Sequence, residues 1–171
     1  MSCLLDDTLT FAREMSAAND GFGETTDLTM EIECAAATRR QLGELIVIGH
    51  LPASMTSSIP RIAFQRILGN LLDNASRYGG SAAISATSSA EQIEVVIDDD
   101  GPGVPEAQLS RLTEPFHRLE ESRARHTGGA GLGLSIVQAL IERHGGRLLL
   151  ENRAGGGFRA RLQLMPSKPS A

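Results

Sequence analysis

Apolar residues recur along this chain with two different periods, and each period predicts one kind of element. Over 60–78 they return every three or four residues, as on one face of a helix, whereas over 91–98 they alternate with polar residues, as in a half-buried strand. The patterns predict helices at 4–15, 27–41, 60–78 and 135–144, and strands at 44–50, 82–87, 91–98, 147–152 and 158–164. The chain is therefore predicted to mix helices with strands.

Local signals predict where some of these elements begin and end. Thr26 and Asp27 can cap the helix that follows them, and Pro60 fits the first turn of the next helix, which ends at Gly79-Gly80. A hairpin with its turn at 88–90 is predicted after that. The helix at 60–78 is predicted to bury one stripe of residues: Ile62, Ile67, Leu68, Leu71, Leu72 and Ala75.

The segments between and around the periodic regions predict the domain organisation. Residues 27–166 have the length of one compact domain. Residues 1–26 are predicted to be a short helical stub with a polar linker. The loop-like segment 101–129 is predicted to be a mobile lid, and 167–171 a disordered tail.

Composition and charge exclude several function classes. The formal net charge of −5 argues against a dedicated nucleic-acid binder, which would need a basic face. Cys3 and Cys34 form no Cys-x-x-Cys or Cys/His cluster, so neither a zinc site nor a disulfide framework is predicted. The apolar runs are too short to span a bilayer and the N-terminus lacks a signal peptide. We therefore expect a cytoplasmic domain that makes no membrane contact.

The first candidate motif lies on the helix predicted for 60–78. Asn70, Asn74 and either Arg77 or Tyr78 fall along one stripe, offset from the apolar stripe. The amide oxygen of Asn suits a hard cation such as Mg²⁺, and Arg77 adds a charge that can pair with phosphate. The alternative is that both asparagines are merely exposed helix positions.

The second candidate motif is the turn that begins with Asp99 and continues through Gly101-Pro-Gly103. It holds a short carboxylate where the backbone can approach a ligand closely. An ionised carboxylate only accepts hydrogen bonds, which matches the amino group of adenine and not the carbonyl group at the same place on guanine. An ordinary acidic turn is the alternative.

The third candidate motif is Gly129-Ala-Gly-Leu-Gly133, which leads into a predicted helix. Glycines there can expose backbone N–H groups, and the helix N-terminus attracts anions. A flexible glycine hinge is the alternative, and the motif is neither a Walker loop nor a good dinucleotide fingerprint. Together the three motifs supply metal ligands, a base-reading carboxylate and phosphate-binding amides, and they point to ATP.

Four segments, in this order, resemble the sequence boxes of bacterial sensor histidine kinases. Arg66–Tyr78 resembles the N box, Asp99–Val104 the first glycine box, Glu114–Leu119 the F box and Gly129–Val137 the second glycine box. The resemblance implies the Bergerat ATP-binding fold of the GHKL superfamily. This fold is an α+β two-layer sandwich in which a mixed, mostly antiparallel β-sheet carries helices packed on one face.

The resemblance also implies roles for the residues that match these boxes. Asn74 matches the Mg²⁺ ligand, and Tyr78 lies against the adenine, which Asp99 reads. The remaining predicted nucleotide contacts come from the N box, the two glycine boxes and the lid: Asn70, Arg77, Gly101, Gly103, Arg118, Arg123, Gly129, Ala130, Gly131, Leu132, Gly133 and Leu134. The predicted catalytic set is Asn70, Asn74, Arg118 and Arg123, with Arg125 as a weaker candidate.

Two departures from related enzymes sharpen the expected function. Asn70 stands where ATPases of the wider superfamily carry the Glu that activates water, so transfer to a protein nucleophile is expected rather than fast hydrolysis. The His-Glu-x-x-x-x-Pro motif of the phosphoacceptor is absent, while Leu4–Arg13 resembles the end of the second dimerisation helix. We expect a monomeric catalytic fragment that does not phosphorylate itself. The segment Gly155–Phe158 lacks a Thr often found in relatives, which leaves the last adenine-side contact open.

The expected function is binding of Mg-ATP and transfer of the γ-phosphoryl group to a histidine of a dimerisation domain. The expected partners are ATP and ADP, the dimerisation and phosphoacceptor domain of a parent kinase, and a response regulator. One alternative is a serine kinase of the anti-sigma-factor type, which has the same fold. Another is a degenerate module that binds a nucleotide or a partner and transfers nothing.

Overall fold

The computed structural model describes residues 25–117 and 131–167. The predicted stub at 4–15, part of the predicted lid and most of the predicted tail lie outside these ranges. In chain order the elements are β1 (Thr26–Asp27), α1 (Leu28–Gln41), β2 (Leu45–Ile48), β3 (Thr56–Ser57), α2 (Arg61–Gly79), β4 (Ser81–Ser88), β5 (Ile93–Asp98), α3 (Glu106–Leu109), α4 (Gly133–Arg143), β6 (Arg147–Asn152) and β7 (Phe158–Leu164).

The five longer strands form one mixed sheet in the order β2-β4-β5-β7-β6. Strand β2 pairs with β4 in parallel, and the other three pairings are antiparallel. The β4–β5 hairpin turns at 89–92, slightly later than predicted, where the Ser89 N–H donates to the Gln92 carbonyl over 2.9 Å. The mixed, mostly antiparallel sheet is the one that the family resemblance implied.

Helices α1, α2 and α4 cover one face of this sheet. Alternate residues of β5 are buried beneath them, and the residues between are half-buried on the opposite face. The largest fully buried side chains come from helices, strands and connections alike: Phe64, Leu28, Ile32, Met55, Ile59, Ile67, Leu68, Leu72, Ile84, Ile93, Ile141 and Leu162. This single core fixes α2, the helix that carries the first candidate motif, against the sheet.

The opposite face of the sheet carries paired charges. Arg159 donates to both carboxylate oxygens of Asp98, each over 2.7 Å. Arg161 lies between Glu94, at 3.0 Å, and Glu151, at 2.6 Å. Cross-strand pairs of opposite charge support the register of neighbouring strands, and they suit a face that meets solvent.

Helix α2 corrects one sequence-based prediction. Ile62 was expected in the buried stripe, but it is 63% exposed, whereas Ala63 and Phe64 are buried. Ile62 precedes Ile67 by five residues, which places it about 140° around a helix of 3.6 residues per turn. At the other end, Gly80 adopts the left-handed conformation that ends many helices.

Helix α1 packs against α2 and is hydrogen-bonded to it beside the candidate stripe. Asp27 caps α1 as predicted, accepting a hydrogen bond from the Met30 N–H over 3.2 Å. Near the end of α1, Arg39 donates to the Gly69 carbonyl over 3.2 Å and to the Asp73 carboxylate over 2.6 Å. Gly69 and Asp73 immediately precede Asn70 and Asn74 in sequence, so this contact fixes the helix beside the candidate stripe.

A small second sheet joins the two ends of the described chain. Strands β1 and β3 pair antiparallel, and Ser57 forms an isolated bridge with Pro166. The Ser57 hydroxyl donates to the Met165 carbonyl over 2.8 Å, and the Ser167 N–H donates to the Thr56 carbonyl over 2.8 Å. Ser167, the first residue of the predicted tail, is therefore held by backbone pairing. No helix in the described ranges is long and apolar enough to cross a membrane.

Candidate nucleotide site

Asp99 lies directly after β5 and is almost fully buried, with 7% of its surface exposed. Its Oδ1 atom accepts hydrogen bonds from the Gly101 N–H over 2.8 Å and from the Phe158 N–H over 3.2 Å. In return, the Asp99 N–H donates to the Phe158 carbonyl over 2.9 Å. These bonds fix the carboxylate and leave Oδ2 as the oxygen available to a ligand.

The groups around Asp99 shift the pKa of its carboxyl group in opposite directions. Burial raises the pKa of the carboxyl group above its ordinary value, because the charged form loses solvation. The amides of Gly101 and Phe158 lower it, the neighbouring Asp100 raises it, and the Arg153 guanidinium lowers it. The net effect is a raised pKa. The charged carboxylate therefore occupies this buried position at a cost in lost solvation.

The C-terminal end of α2 packs directly against this carboxylate. A Cβ at Gly79 would lie 2.5 Å from the Asp99 Cβ, and one at Gly101 would lie 2.8 Å from the Tyr78 carbonyl oxygen. Neither position has room for a side chain. The N-box helix and the first glycine box, 20 residues apart at Gly79 and Asp99, are therefore in contact.

The middle of α2 meets the second glycine box. Asn70 donates through Nδ2 to the Arg66 carbonyl over 2.9 Å, and its Oδ1 would lie 3.1 Å from a Cβ at Gly133. Asn74 is half-buried and its side chain makes no hydrogen bond with the described residues, while Arg77 is exposed. The stripe predicted from the sequence therefore runs from the first residue of α4 towards Asp99.

Helix α4 follows the glycine motif directly and begins at Gly133, two residues before its predicted start at 135. Gly131 has a φ of +75°, and its carbonyl accepts a hydrogen bond from the Phe116 N–H over 3.1 Å, which joins the F box to the second glycine box. Leu132 is buried and Leu134 packs against the core. Their side chains anchor the turn, so only their backbone groups can contribute to the predicted contacts.

Several predicted site residues lie outside the described ranges: Arg118, Arg123, Arg125, Gly129 and Ala130. The sequence also missed residues that contact the Asp99 loop from the β6–β7 turn: Asn152, Arg153 and Gly157. The Gly155-Gly-Gly157 run predicted the turn itself, but no local signal indicated that the turn folds onto a segment about 50 residues earlier.

The geometry of α2 separates two ends of the candidate site. Gly79, at the carboxylate, follows Asn70, at the glycine box, by nine positions, which is about 14 Å along the helix axis. This separation can accommodate an extended nucleotide with its base at Asp99 and its phosphates near Gly133. Tyr78, which is 41% exposed, lies at the base end.

The amide oxygens of the predicted stripe on α2 fit a Mg²⁺ ion that shares its coordination with phosphate. Within the described residues there is no cluster of three or more His, Cys, Asp or Glu side chains able to hold a metal. Asn74 offers an amide oxygen that has no partner among them. Mg²⁺ is commonly held by one or two protein oxygens together with substrate phosphates, so this sparse set suits an ion bound with the nucleotide.

Comparison with known proteins identifies similar molecules. Residues 60–168 match the family described as histidine kinase-, DNA gyrase B- and HSP90-like ATPases. The chain is 37% identical over 141 residues to the sensor histidine kinase GtrS of Pseudomonas aeruginosa, which covers 82% of this chain and 28% of that protein. It is 38% identical over 117 residues to the signal transduction histidine-protein kinase BaeS of Escherichia coli, covering 67% and 25%. The chain thus spans only about a quarter of these relatives.

Solved structures show the same fold. The mycobacterial sensor histidine kinase MprB superposes with a TM-score of 0.70 at 25% identity, covering 84% of this chain and 97% of that one. The histidine kinase domain of the E. coli osmosensor EnvZ superposes with a TM-score of 0.68 at 29% identity, covering 90% and 95%. The predicted fold and the predicted family resemblance are both confirmed.

Proposed function

Because the chain belongs to the family of histidine kinase-, DNA gyrase B- and HSP90-like ATPases, we propose that it binds Mg-ATP and transfers the γ-phosphoryl group to a histidine of a sensor-kinase dimerisation domain. The observation that carries this proposal is the buried Asp99 at one end of α2, with Asn70 against Gly133 nearer its middle. A carboxylate for the base and a helix N-terminus for the phosphates are thus joined by one helix.

At the base end, Asp99 accepts a hydrogen bond from the adenine amino group through Oδ2. Gly101 and Gly103 shape the turn that brings the backbone close to the base, and Tyr78 lies beside it. This arrangement favours adenine over guanine, because guanine presents a carbonyl oxygen where adenine presents an N–H donor. Two acceptors would then face each other.

At the phosphate end, Asn74 would hold Mg²⁺, and Asn70 and Arg77 would lie near the phosphate oxygens. When bound, Mg²⁺ would neutralise charge on the β- and γ-phosphates. The backbone amides of 129–134 and the dipole of α4 meet the same charge. Arg118 and Arg123 are the proposed contacts to the γ-phosphate.

The site is suited to phosphoryl transfer rather than to hydrolysis. Asn70 bears an amide and not a carboxylate, so it cannot take a proton from an attacking water. In the proposed step an imidazole nitrogen of the partner domain bonds to the γ-phosphorus while the bond to the β–γ bridging oxygen breaks and ADP leaves. A response-regulator aspartate then accepts the phosphoryl group. We place this cycle in the cytoplasm, with residues 1–26 as the end of a dimerisation hairpin and linker.

The test is transfer of label from γ-labelled ATP to a separate dimerisation hairpin that carries the phosphoacceptor histidine. We expect acid-labile label on the hairpin, no label on the 171-residue chain alone, and none on a matched hairpin with that histidine replaced by Gln. Acid-stable label on a serine substrate would instead support the serine-kinase alternative. Nucleotide binding with no transfer to either substrate would support a binding module.

A further inference from the structure

The β6–β7 turn contacts both ends of the first glycine box. Asn152 and Arg153 are consecutive residues at the end of β6, and their side chains reach Val104 and Asp99, which lie 48 and 54 residues earlier. Their partners include backbone groups of the Asp99–Val104 loop. The two residues therefore hold the loop at its last and first positions.

The side chain of Asn152 pairs with the backbone of Val104, as the backbone of a neighbouring strand would. Its Oδ1 accepts a hydrogen bond from the Val104 N–H over 2.8 Å, and its Nδ2 donates to the Val104 carbonyl over 2.7 Å. A Cβ at Gly103, where φ is +74°, would lie 2.8 Å from the same Oδ1. One side-chain amide thus satisfies both backbone groups of Val104 and packs against the glycine before it.

Arg153 holds the other end of the loop. Its Nη1 donates to the Asp99 carbonyl over 2.7 Å and to the Asp100 carboxylate over 2.9 Å. Its own N–H donates to the Gly157 carbonyl over 3.0 Å, which keeps the turn closed around Asp99. The guanidinium therefore fixes the backbone of the residue whose side chain is proposed to read the base.

The Asp99–Val104 loop is also restrained by other elements: the Ser81 hydroxyl donates to the Asp100 carboxylate over 2.8 Å, the Phe158 N–H donates to Asp99 Oδ1, and Gly79 packs against the Asp99 side chain. The loop contains two glycines, and the internal hydrogen bond described for it runs from the Gly101 N–H to the Asp99 carboxylate. Glycines give a loop access to many backbone conformations. The direction of Asp99 Oδ2 therefore depends on contacts from outside the loop, and Asn152 and Arg153 supply the side-chain contacts to the backbone at its two ends.

We propose that Asn152 and Arg153 are positioning residues for base recognition, which hold the Asp99–Val104 loop so that the chain prefers adenine over guanine nucleotides. This inference rests on the proposed function, because it assumes that Asp99 reads the base. Neither side chain touches the base. Each acts through the loop, so its loss should change nucleotide selectivity as well as stability.

The test is titration of the 171-residue chain with Mg-ATP and with Mg-GTP, in the wild type and in Arg153→Gln. The matched control is Arg161→Gln. Arg161 lies in the neighbouring strand β7, is similarly exposed and, like Arg153, makes two ion pairs, but it contacts Glu94 and Glu151 rather than the loop. We expect Arg153→Gln to lower the affinity for ATP about fivefold to tenfold and to lower the ratio of ATP to GTP affinity by a similar factor. Arg161→Gln should leave that ratio unchanged.

Two further variants keep the test decisive if Arg153→Gln fails to fold. Arg153→Lys keeps the charge and should retain part of the selectivity. Asn152→Asp keeps the acceptor for the Val104 N–H but faces the Val104 carbonyl with a second acceptor, so it should reduce selectivity and speed hydrogen exchange at the Val104 amide.

The outcomes separate this inference from the proposed function. A wild-type chain without a preference for ATP over GTP would overturn both. A wild-type chain that prefers ATP, together with folded variants at 152 and 153 that keep the full preference, would overturn the positioning role alone. Equal losses of selectivity in the Arg153 and Arg161 variants would also overturn it, since the effect would then follow general destabilisation of the sheet.

Discussion

The two ends of the candidate nucleotide site are built in different ways. At the base end, the Asp99 carboxylate is buried and receives two backbone hydrogen bonds, and Gly79 packs against it without room for a side chain. At the phosphate end, Asn74 has no partner among the described residues and Arg77 is exposed. The difference indicates that the fold itself fixes the carboxylate at the base end, whereas the described side chains at the phosphate end are left with few contacts of their own.

The largest effect should come from adding a side chain at the base end, at a position that has no room for one. A Cβ at Gly157 would lie 2.1 Å from the Asp99 carbonyl oxygen at a φ of +95°. We expect Gly157→Ala to lower the free energy of unfolding by about 2–4 kcal/mol, from left-handed strain and overpacking together. Urea unfolding would measure it.

Gly156 provides the matched control in the same turn. Its φ is +92°, but a Cβ there would meet nothing within 4 Å. Gly156→Ala should therefore cost only the strain, about 1–2 kcal/mol. Equal losses in the two variants would mean that the close approach to Asp99 adds nothing to the rigidity of the base end.

Removing the carboxylate itself should affect binding more than folding. We expect Asp99→Ala to weaken ATP binding by about 1.5–3 kcal/mol, because a charge-assisted hydrogen bond is lost. Titration calorimetry with Mg-ATP and Mg-GTP would show it, and the loss should be confined to ATP. An unchanged affinity for ATP would mean that the base is read elsewhere.

The buried charge of Asp99 also predicts a dependence of stability on pH. Its raised pKa means that the folded state holds the proton more strongly than the unfolded chain does. The protonated form therefore favours folding at acidic pH, and this contribution is lost as the pH rises from the ordinary pKa through the raised one.

Asp99→Asn, which keeps an acceptor without the charge, should accordingly unfold at a higher temperature than the wild type at neutral pH. The difference should shrink as the solution is acidified through that window. Thermal unfolding of both proteins across the acidic to neutral range would test this. A less stable Asn variant at neutral pH would show that the backbone bonds to the carboxylate outweigh its burial.

The phosphate end should respond differently. Asn74→Ala is expected to leave the fold intact and to remove the dependence of ATP affinity on Mg²⁺, a loss of about 1 kcal/mol or more for a metal-bound acceptor. Comparing ATP titrations with Mg²⁺ and with a chelator would measure it. Persistent Mg²⁺ dependence in this variant would rule out Asn74 as the metal ligand.

The smallest effect is expected at Gly69, beside the phosphate-end stripe. It lies inside α2, and a Cβ there would meet nothing within 4 Å. Gly69→Ala should raise the free energy of unfolding by about 0.5–1 kcal/mol, since alanine costs less backbone entropy in a helix. A loss of stability would show that the Arg39 contact to the Gly69 carbonyl requires glycine.

The sequence predicted what repeats or what carries a local signature. Strand β6 was predicted with its observed ends, Arg147 and Asn152, and β5 was recognised by alternation. Strands β1 and β3 were not predicted, because two residues are too few to show a period. Asp99 was found through its glycine-rich turn, but its role remains a prediction.

The residues that hold the Asp99–Val104 loop, Asn152 and Arg153, could not be predicted from the sequence for a different reason. Asn152 and Arg153 are ordinary polar residues at the end of a strand, and nothing near them in the sequence marks them. Their significance lies in contacts to a loop about 50 residues away, which only the pairing of β5 with β7 and of β7 with β6 brings within reach. The period of apolar residues indicates local structure, and it does not show which distant segments come into contact.

The small sheet formed by β1, β3 and Pro166 brings the two ends of the described chain close enough for circular permutation of the domain. Thr26 and Pro166 flank Ser57 on its two sides, so they lie about two strand spacings, or roughly 10 Å, apart. A short glycine-rich linker could join residue 167 to residue 25 and new termini could be opened at the exposed turn at 89–91 between β4 and β5. Such a circular permutant should keep the core and both ends of the nucleotide site, since neither the linker nor the cut touches them.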